Sequence, residues 1–258
     1  MNHKTRALAG LALAGMLSAS AAFAEQDRGF YFGLWGGTGD IDLGSKGELD
    51  ESFTESLNPM LAIVPIQPGT NLTGTPETSK LDDTTTPWGA QVGYRFNKWV
   101  AVEVGYVDLG EATYTLSGAI SGNYAFFDGT DVVNVLLNGD FQSGLDVTSA
   151  GVTASVLGMV PLGQYFDLHA RGGIYYADTR VTQRLRYIDS VDQAGVFNLL
   201  HTRMDASQTE LFAGVGAAWN INESFTLRLE YQRFFDVGDD EKAGESDVNV
   251  FNFAVLFR

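Results

Sequence analysis

The sequence predicts an all-β protein, an eight-stranded antiparallel transmembrane β-barrel with short periplasmic turns and long extracellular loops. Three observations predict it. Two-faced segments recur eight times, with apolar residues at alternate positions and polar ones between, the period of a strand set between lipid and a polar interior. The last segment is the plainest: Phe251, Phe253, Val255 and Phe257 share one side, and Asn252, Ala254 and Arg258 the other. The connections between segments alternate, three very short and four long. Finally, the N-terminus reads as an export leader, yet no later stretch supplies the ~20 consecutive apolar residues of a spanning helix.

The leader is predicted over residues 1–24 and the barrel over 25–258. Lys4 and Arg6 make a positive start, Leu8 to Met16 is an apolar run, and Ala22-Phe23-Ala24 is a small-x-small cleavage site before polar Glu25. The rival, an uncleaved anchor, has no use for that triplet and wants a longer apolar core. An exported chain without a second helix is either a soluble periplasmic protein or a barrel. The 45% hydrophobic content looks soluble, but a barrel strand gives lipid only half its residues.

Charge and cysteine narrow the partners. The full chain carries -16, and losing Lys4 and Arg6 with the leader takes it to -18. Phosphate-backbone binding wants clustered Lys and Arg, so nucleic acid is not expected as a partner. Cys is 0, which removes disulfides, cysteine zinc sites and cysteine nucleophiles.

Eight strands follow in order. They are expected near Gly29–Asp42, Trp88–Phe96, Trp99–Thr115, Val147–Val160, Tyr165–Arg184, Gln208–Asn220, Ser224–Val237 and Asp247–Phe257. Asn97-Lys98, 161–164 and 220–223 are the short turns, and 43–87, 116–146, 185–207 and 238–246 the long loops. An even strand count puts both termini on the periplasmic, short-turn side. Alternation assigns the faces: Val100, Val102, Val104 and Tyr106 oppose Ala101, Glu103 and Gly105, and Phe225, Leu227, Leu229 and Tyr231 oppose Thr226, Arg228, Glu230 and Gln232. Strand one stays open, because Phe30, Phe32 and Leu34 compete with Tyr31 and Trp35. Strand four places Leu157 and Met159 on an otherwise polar side.

Aromatic residues flank every short turn: Phe96 and Trp99 the first, Phe166 the second, Trp219 and Phe225 the third, with Phe257 near the C-terminus. Aromatics favour any sheet. Repetition at one end of every hairpin points instead to a periplasmic girdle at the membrane–water interface.

The run Trp88-Gly89-Ala90-Gln91-Val92-Gly93-Tyr94-Arg95-Phe96-Asn97-Lys98-Trp99, continuing through Ala101-Val102-Glu103 to Gly105-Tyr106-Val107-Asp108-Leu109-Gly110, resembles the OmpA-like transmembrane barrel family of Gram-negative outer membranes. Arg171-Gly172-Gly173-Ile174-Tyr175-Tyr176 and Phe212-Ala213-Gly214-Val215-Gly216 look like later strands of that family. The resemblance spans residues 25–258. It implies residence in the cell outer membrane, contact with outer-membrane lipid and lipopolysaccharide, and handling by the outer-membrane assembly machinery. Two departures stand out. Larger members continue into a peptidoglycan-binding domain, and this sequence ends at Arg258, so no such tether is implied. Members usually end on Phe, whereas Arg258 follows Phe257 here, which puts assembly efficiency in question.

The chemistry is expected in the lumen. An eight-stranded barrel is just wide enough inside for side chains to fill. Glycines at 89, 93, 105, 173, 214 and 216 leave room for long polar neighbours. Glu103, Arg171, Arg228 and Glu230 share the inward phase and lie at similar distances from the girdle, so they are expected to form one ionic layer with Gln91 nearby. Isolated buried charges are heavily penalised and need such partners. The layer reads either as a static plug or as a gate whose pairs exchange.

The loops carry less. Asp82, Asp83, Asp239, Asp240 and Glu241 offer oxygen ligands, but no Asp-x-Asp-x-Asp-Gly loop is present, so a solvated surface is expected rather than a calcium site. Met60–Ile66 and Val132–Leu137 are apolar for loops, and read as folding over the barrel mouth or as contacting a partner or hydrophobic solute. His169 has Asp167 on its face but no serine at catalytic spacing, and His201 falls in a loop. His169 reads as a lumen residue paired to a carboxylate. No enzyme, cofactor or metal is expected. The expected role is that of a monomeric structural envelope protein with at most a narrow pore. Passive transport of small solutes and adhesion through the loops are the alternatives.

Overall fold

The computed structural model describes residues 28–63, 70–127, 129–189, 196–239 and 244–258. The predicted leader lies outside these residues, as do Val64–Ile66, Asp240 and Glu241. In chain order the elements are β1 Gly29–Ile41, α1 Lys46–Ile63, β2 Asn71–Asp82, β3 Thr84–Thr85, β4 Trp88–Arg95 and β5 Val100–Phe127, then β6 Val132–Leu162, β7 Phe166–Asp189, β8 Val196–Asn220, β9 Phe225–Asp239 and β10 Gly244–Phe257.

Eight of these strands close a ring. Neighbours pair antiparallel from β4 through β10, and β1 pairs with both β4 and β10. The closing seam runs from Phe32 opposite Phe257 to Ile41 opposite Val248. Closure leaves no edge in the ring to meet lipid unpaired, which is what a spanning sheet requires. No helix among the described residues is long and apolar enough to cross a membrane.

The faces follow the alternation. Val104 is 56% exposed and Leu229 48% exposed, whereas Glu103 and Glu230 between such positions are buried. The open facing of strand one resolves with Phe30 and Leu34 outward and Tyr31 and Trp35 buried in the lumen. Leu157 and Met159 also point inward.

Four expected loops are corrected. Strand β5 runs on to Phe127 and β6 begins at Val132, so most of 116–146 is a paired hairpin rather than a loop. Likewise β7 extends to Asp189 and β8 begins at Val196, which turns much of 185–207 into strand. The 238–246 connection shrinks because β9 and β10 pair up to Asp239 and Gly244. The 43–87 connection contains α1 and β2, and β2 pairs with β5 outside the ring. Together β2, β5, β6, β7 and β8 form an open sheet beyond the barrel's loop end. A bulge between Asp108 and Gly110 marks the junction on β5. Gly110 has φ 87°, a conformation that favours glycine, and its N–H donates to Asp108 Oδ1 at 2.9 Å.

This extension has its own core. Leu72, Tyr114, Leu116, Ile120, Leu137, Phe141, Leu185 and Tyr187 pack together with Leu57 of α1. The helix starts on a capping box: Glu48 N–H donates to Ser45 Oγ at 3.3 Å, and Ser45 N–H donates to Glu48 Oε2 at 2.8 Å. Phe53 stacks obliquely on Tyr114 with ring centroids 4.8 Å apart, and Tyr114 OH donates to Asp50 Oδ1 at 2.7 Å. Helix, β2 and long hairpins therefore fold as one body.

Candidate functional site: the barrel lumen

The inward residues stack in three levels. Nearest the short turns, Arg95 sits 3.4 Å from Asp167, and Asn220 Nδ2 donates to the same carboxylate at 3.1 Å. Arg95 also donates to the carbonyls of Asn97 and Lys98, which ties it to the first turn. Arg258 Nη2 donates to Asn220 Oδ1 at 3.3 Å, so the residue after Phe257 folds back into this level.

The middle level brings all four predicted charges together. Arg171 Nη2 donates to Glu103 Oε2. Arg228 Nη1 donates to Glu103 Oε1 at 2.8 Å. Arg171 Nε lies 2.6 Å from Glu230 Oε1, but off the hydrogen-bond direction, so that contact is coulombic. Arg228 is 3.9 Å from Glu230. Two carboxylates thus face two guanidiniums, and the charges balance, as a buried layer requires. Gln91 reaches Glu103 at 3.5 Å. Tyr31 OH donates to Glu103 Oε1 at 2.5 Å, a partner that the unresolved facing of strand one concealed.

Register shows why the chain can place long side chains here. Glu103 faces Gly93 across the sheet. Arg171 faces Gly214 and Glu230 faces Gly216. Arg228 faces Ala218 on one side and Ala254 on the other. Every charge in the layer has a small residue directly across a strand pair. Not every glycine serves a polar neighbour, however. Gly89 lies under the Trp35 indole, where an added Cβ would come within 2.5 Å of the ring.

His169 lies 3.4 Å from Glu230 Oε2 and is buried with it. Its carboxylate neighbour is Glu230, whereas Asp167 is engaged by Arg95 and Asn220. That geometry positions His169 beside the ionic layer.

The third level was not foreseen. Above the charges, Trp35, Tyr175, Phe212 and Phe234 fill the lumen. Phe212 and Phe234 stack with centroids 5.1 Å apart, and Tyr175 meets Phe234 edge-on at 5.1 Å. Ile41, Val107, Leu109, Val248 and Val250 continue the apolar packing toward the loop end. The charged lumen residues gather in the turn half, where Leu157, Met159 and Leu256 pack beside them, and the loop half is mainly apolar. Two small cavities flank the ionic layer. One of about 20 Å³ touches Arg95, His169 and Arg228, and one of about 10 Å³ lies between Arg171 and Phe212. Each is of the size of a single water.

The expected girdle residues sit at the turn end and face outward. Phe96, Trp99, Phe166, Trp219 and Phe225 are all exposed. Phe166 stacks on Trp219 across β7–β8 at 6.2 Å. Phe257 bridges the seam between Phe32 and Phe225, with centroids at 4.8 and 5.1 Å.

Among solved structures the chain is similar to the outer membrane protein OprG of Pseudomonas aeruginosa, at 13% identity over 90% of this chain and 98% of that one, with a TM-score of 0.42. It is also similar to Neisserial surface protein A, at 9% identity over 88% and 96% of the two chains, with a TM-score of 0.40. A third is Ail, the attachment invasion locus protein of Yersinia pestis, solved with the heparin analogue sucrose octasulfate: 11% identity, 88% and 97% coverage, TM-score 0.38. No curated protein matches the chain. The OmpA-like transmembrane domain matches residues 26–258, almost the whole sequence, and the chain belongs to that family of outer-membrane β-barrels.

Proposed function

We propose that this outer-membrane barrel is a closed structural protein of the envelope, which holds a folded extracellular sheet above the membrane. One observation carries the reading: two successive levels fill the lumen, a balanced ionic layer and an aromatic layer stacked on it. A through-channel would have to part both. The four charges Glu103, Arg171, Arg228 and Glu230 act here as the plug. Phe96, Trp99, Phe166, Trp219, Phe225 and Phe257 act as the interfacial girdle on the periplasmic side. Residues 1–24 act as the leader, removed after Ala24, on the charge and cleavage pattern of that segment. Intact-mass measurement of the protein from membranes tests the cleavage.

Passive solute transport is the second reading. It draws support from Glu103, which two guanidiniums share, so that one pair loosens without stranding the carboxylate. Single-channel recording of refolded protein separates the two. The closed reading expects wild type silent, with the paired variant Phe212→Ala/Phe234→Ala still silent, because the ionic layer remains. Steady wild-type openings would replace the plug with a gate.

A further inference from the structure

The outward face of β7 changes character abruptly. From Phe166 through Leu168, Ala170, Ile174 and Tyr176 it is apolar over about eleven residues, the length of a spanning strand. Asp178, Arg180, Thr182, Arg184 and Arg186 then follow on the same face. On β8 the outward row changes in step, with Leu211 the last apolar position before Thr209, Ser207, Asp205, Arg203 and His201. Register sets Arg180 opposite Asp205, Thr182 opposite Arg203 and Arg184 opposite His201. Arginines thus gather directly above the lipid band, in a chain of net charge -16.

The group is built rather than scattered. Arg180 Nε donates to Asp205 Oδ1 at 2.9 Å, and Arg203 Nε donates to Oδ2 at 2.9 Å. Arg203 Nη2 donates to Oδ1 at 3.0 Å. One carboxylate therefore fixes two guanidiniums, and Asp178, the next acid below on the same face, is held by Ser207 Oγ at 2.6 Å. Each guanidinium has five donors in a rigid fork, so donors remain after Asp205 is served. Both arginine side chains are 50% exposed. Arg184 is paired with Asp146. Holding a fork in place before a ligand arrives lowers the ordering cost of binding.

We propose that Arg180 and Arg203 clamp the phosphate groups of outer-leaflet lipid headgroups. This rests on the outer-membrane reading and names the lipid contact of that same barrel wall. Height argues for a lipid as the source. Arg180 stands four residues above Tyr176, about 13 Å along the strand, where headgroups meet the apolar band. Phosphate accepts bidentate hydrogen bonds from arginine, which neutral headgroup sugars do not offer.

The test uses the full mature chain reconstituted in phosphatidylcholine nanodiscs, titrated with bis-phosphorylated lipid A and with its dephosphorylated form. Wild type is expected to prefer the phosphorylated lipid. Arg180→Gln/Arg203→Gln is expected to lose that preference by about tenfold, the scale of one charge-assisted contact. Arg233→Gln on β9, where Arg233 pairs with Asp247 of β10, serves as the control and is expected to bind like wild type. Equal binding of both lipids by wild type, or no loss in the double variant, overturns the clamp. Competition by millimolar inorganic phosphate at equal strength overturns the headgroup as the source, as does tighter binding of a sulfated glycan than of lipid A. Failure to insert into nanodiscs at all would defeat the outer-membrane reading instead, which keeps the two failures apart.

Discussion

Replacing Glu103 by glutamine is the sharpest test of the ionic layer. Its carboxylate accepts from Arg228 at 2.8 Å, from Tyr31 at 2.5 Å and from Arg171. Glutamine keeps the volume and removes the charge, leaving two buried guanidiniums to share Glu230. Breaking a buried pair from one side costs about 3–5 kcal/mol. The adjoining water-sized cavities of about 20 and 10 Å³ admit some hydration, which places the expected loss near 3 kcal/mol. Arg228→Met alone leaves two buried carboxylates to share Arg171 and is expected to cost a similar amount. The double variant leaves Arg171 with Glu230, a neutral pair 2.6 Å apart. Its loss is expected to fall short of the sum by about 0.5–3 kcal/mol, the range for residues in one network. Urea titration in bilayers of wild type, both single variants and the double variant gives the coupling. Losses that add within about 0.5 kcal/mol would show that the two side chains do not act as a pair. Bilayer current supplies a second reading. Any leak in Glu103→Gln is expected to favour anions, and any leak in Arg228→Met cations, because the residual lumen charge has opposite sign.

Two further outcomes follow from the same geometry. Leu229→Arg, at an outward site on β9, is expected to cost about 2–4 kcal/mol in a bilayer, while Thr209→Arg just above the apolar band costs about 0–1, so equal urea midpoints would refute the placement of the lipid band. Hydrogen bonds from Lys46, Ser79 and Tyr114 hold the Asp50 carboxyl down at about 2. A depressed carboxylate contributes fully above its unfolded pKa of about 3.9, and the contribution is lost as pH falls toward the folded value. Helix α1 is therefore expected to stay docked at pH 5 and to loosen between about pH 4 and pH 2, read as faster hydrogen exchange over 46–57. Exchange rates, corrected for the intrinsic pH effect, that are the same at both ends would contradict the tether.

The ring was legible because lipid imposes one rule on every strand. Alternate residues from Val100 to Tyr106 and from Phe225 to Tyr231 must be apolar, whatever their partners, so each strand announces itself locally. Above the membrane that rule lapses. The upper part of β5 buries Leu116 and Ile120 on one face, with Ser117, Gly118 and Ser121 between and around them, a composition that also suits loops. Strand β2 is harder still. Its sequence Leu72-Thr73-Gly74-Thr75-Pro76-Glu77-Thr78 is strand only because β5 pairs with it, and the bulge between Pro76 and Thr78 absorbs the proline. Helix α1 carried a readable start in Ser45-x-x-Glu48, but it lay in a region expected to be a long loop.

The site divides along the same line. Charges in a closed lumen must find one another, so inward phase and equal height along the strands were enough to group Glu103, Arg171, Arg228 and Glu230. Apolar residues carry no such demand. Phe212 and Phe234 point inward, but a phenylalanine in a barrel strand reads equally well as lipid-facing. The polar-inside rule favoured charged neighbours and hid the aromatics. What decides for Phe212 is Gly173 across the pair, where an added Cβ would come within 2.7 Å of the Phe212 ring. The same complementarity sets Trp35 over Gly89. An inward aromatic facing a glycine is thus a signal that can be read in sequence, once the register of the hairpins is known. It implies a mutual dependence: Gly173→Ala should displace Phe212 and also push β6 away, because the added Cβ meets Ala154 O and, at 2.7 Å, Ser155 Cβ, and the variant is expected to lower the urea midpoint in bilayers.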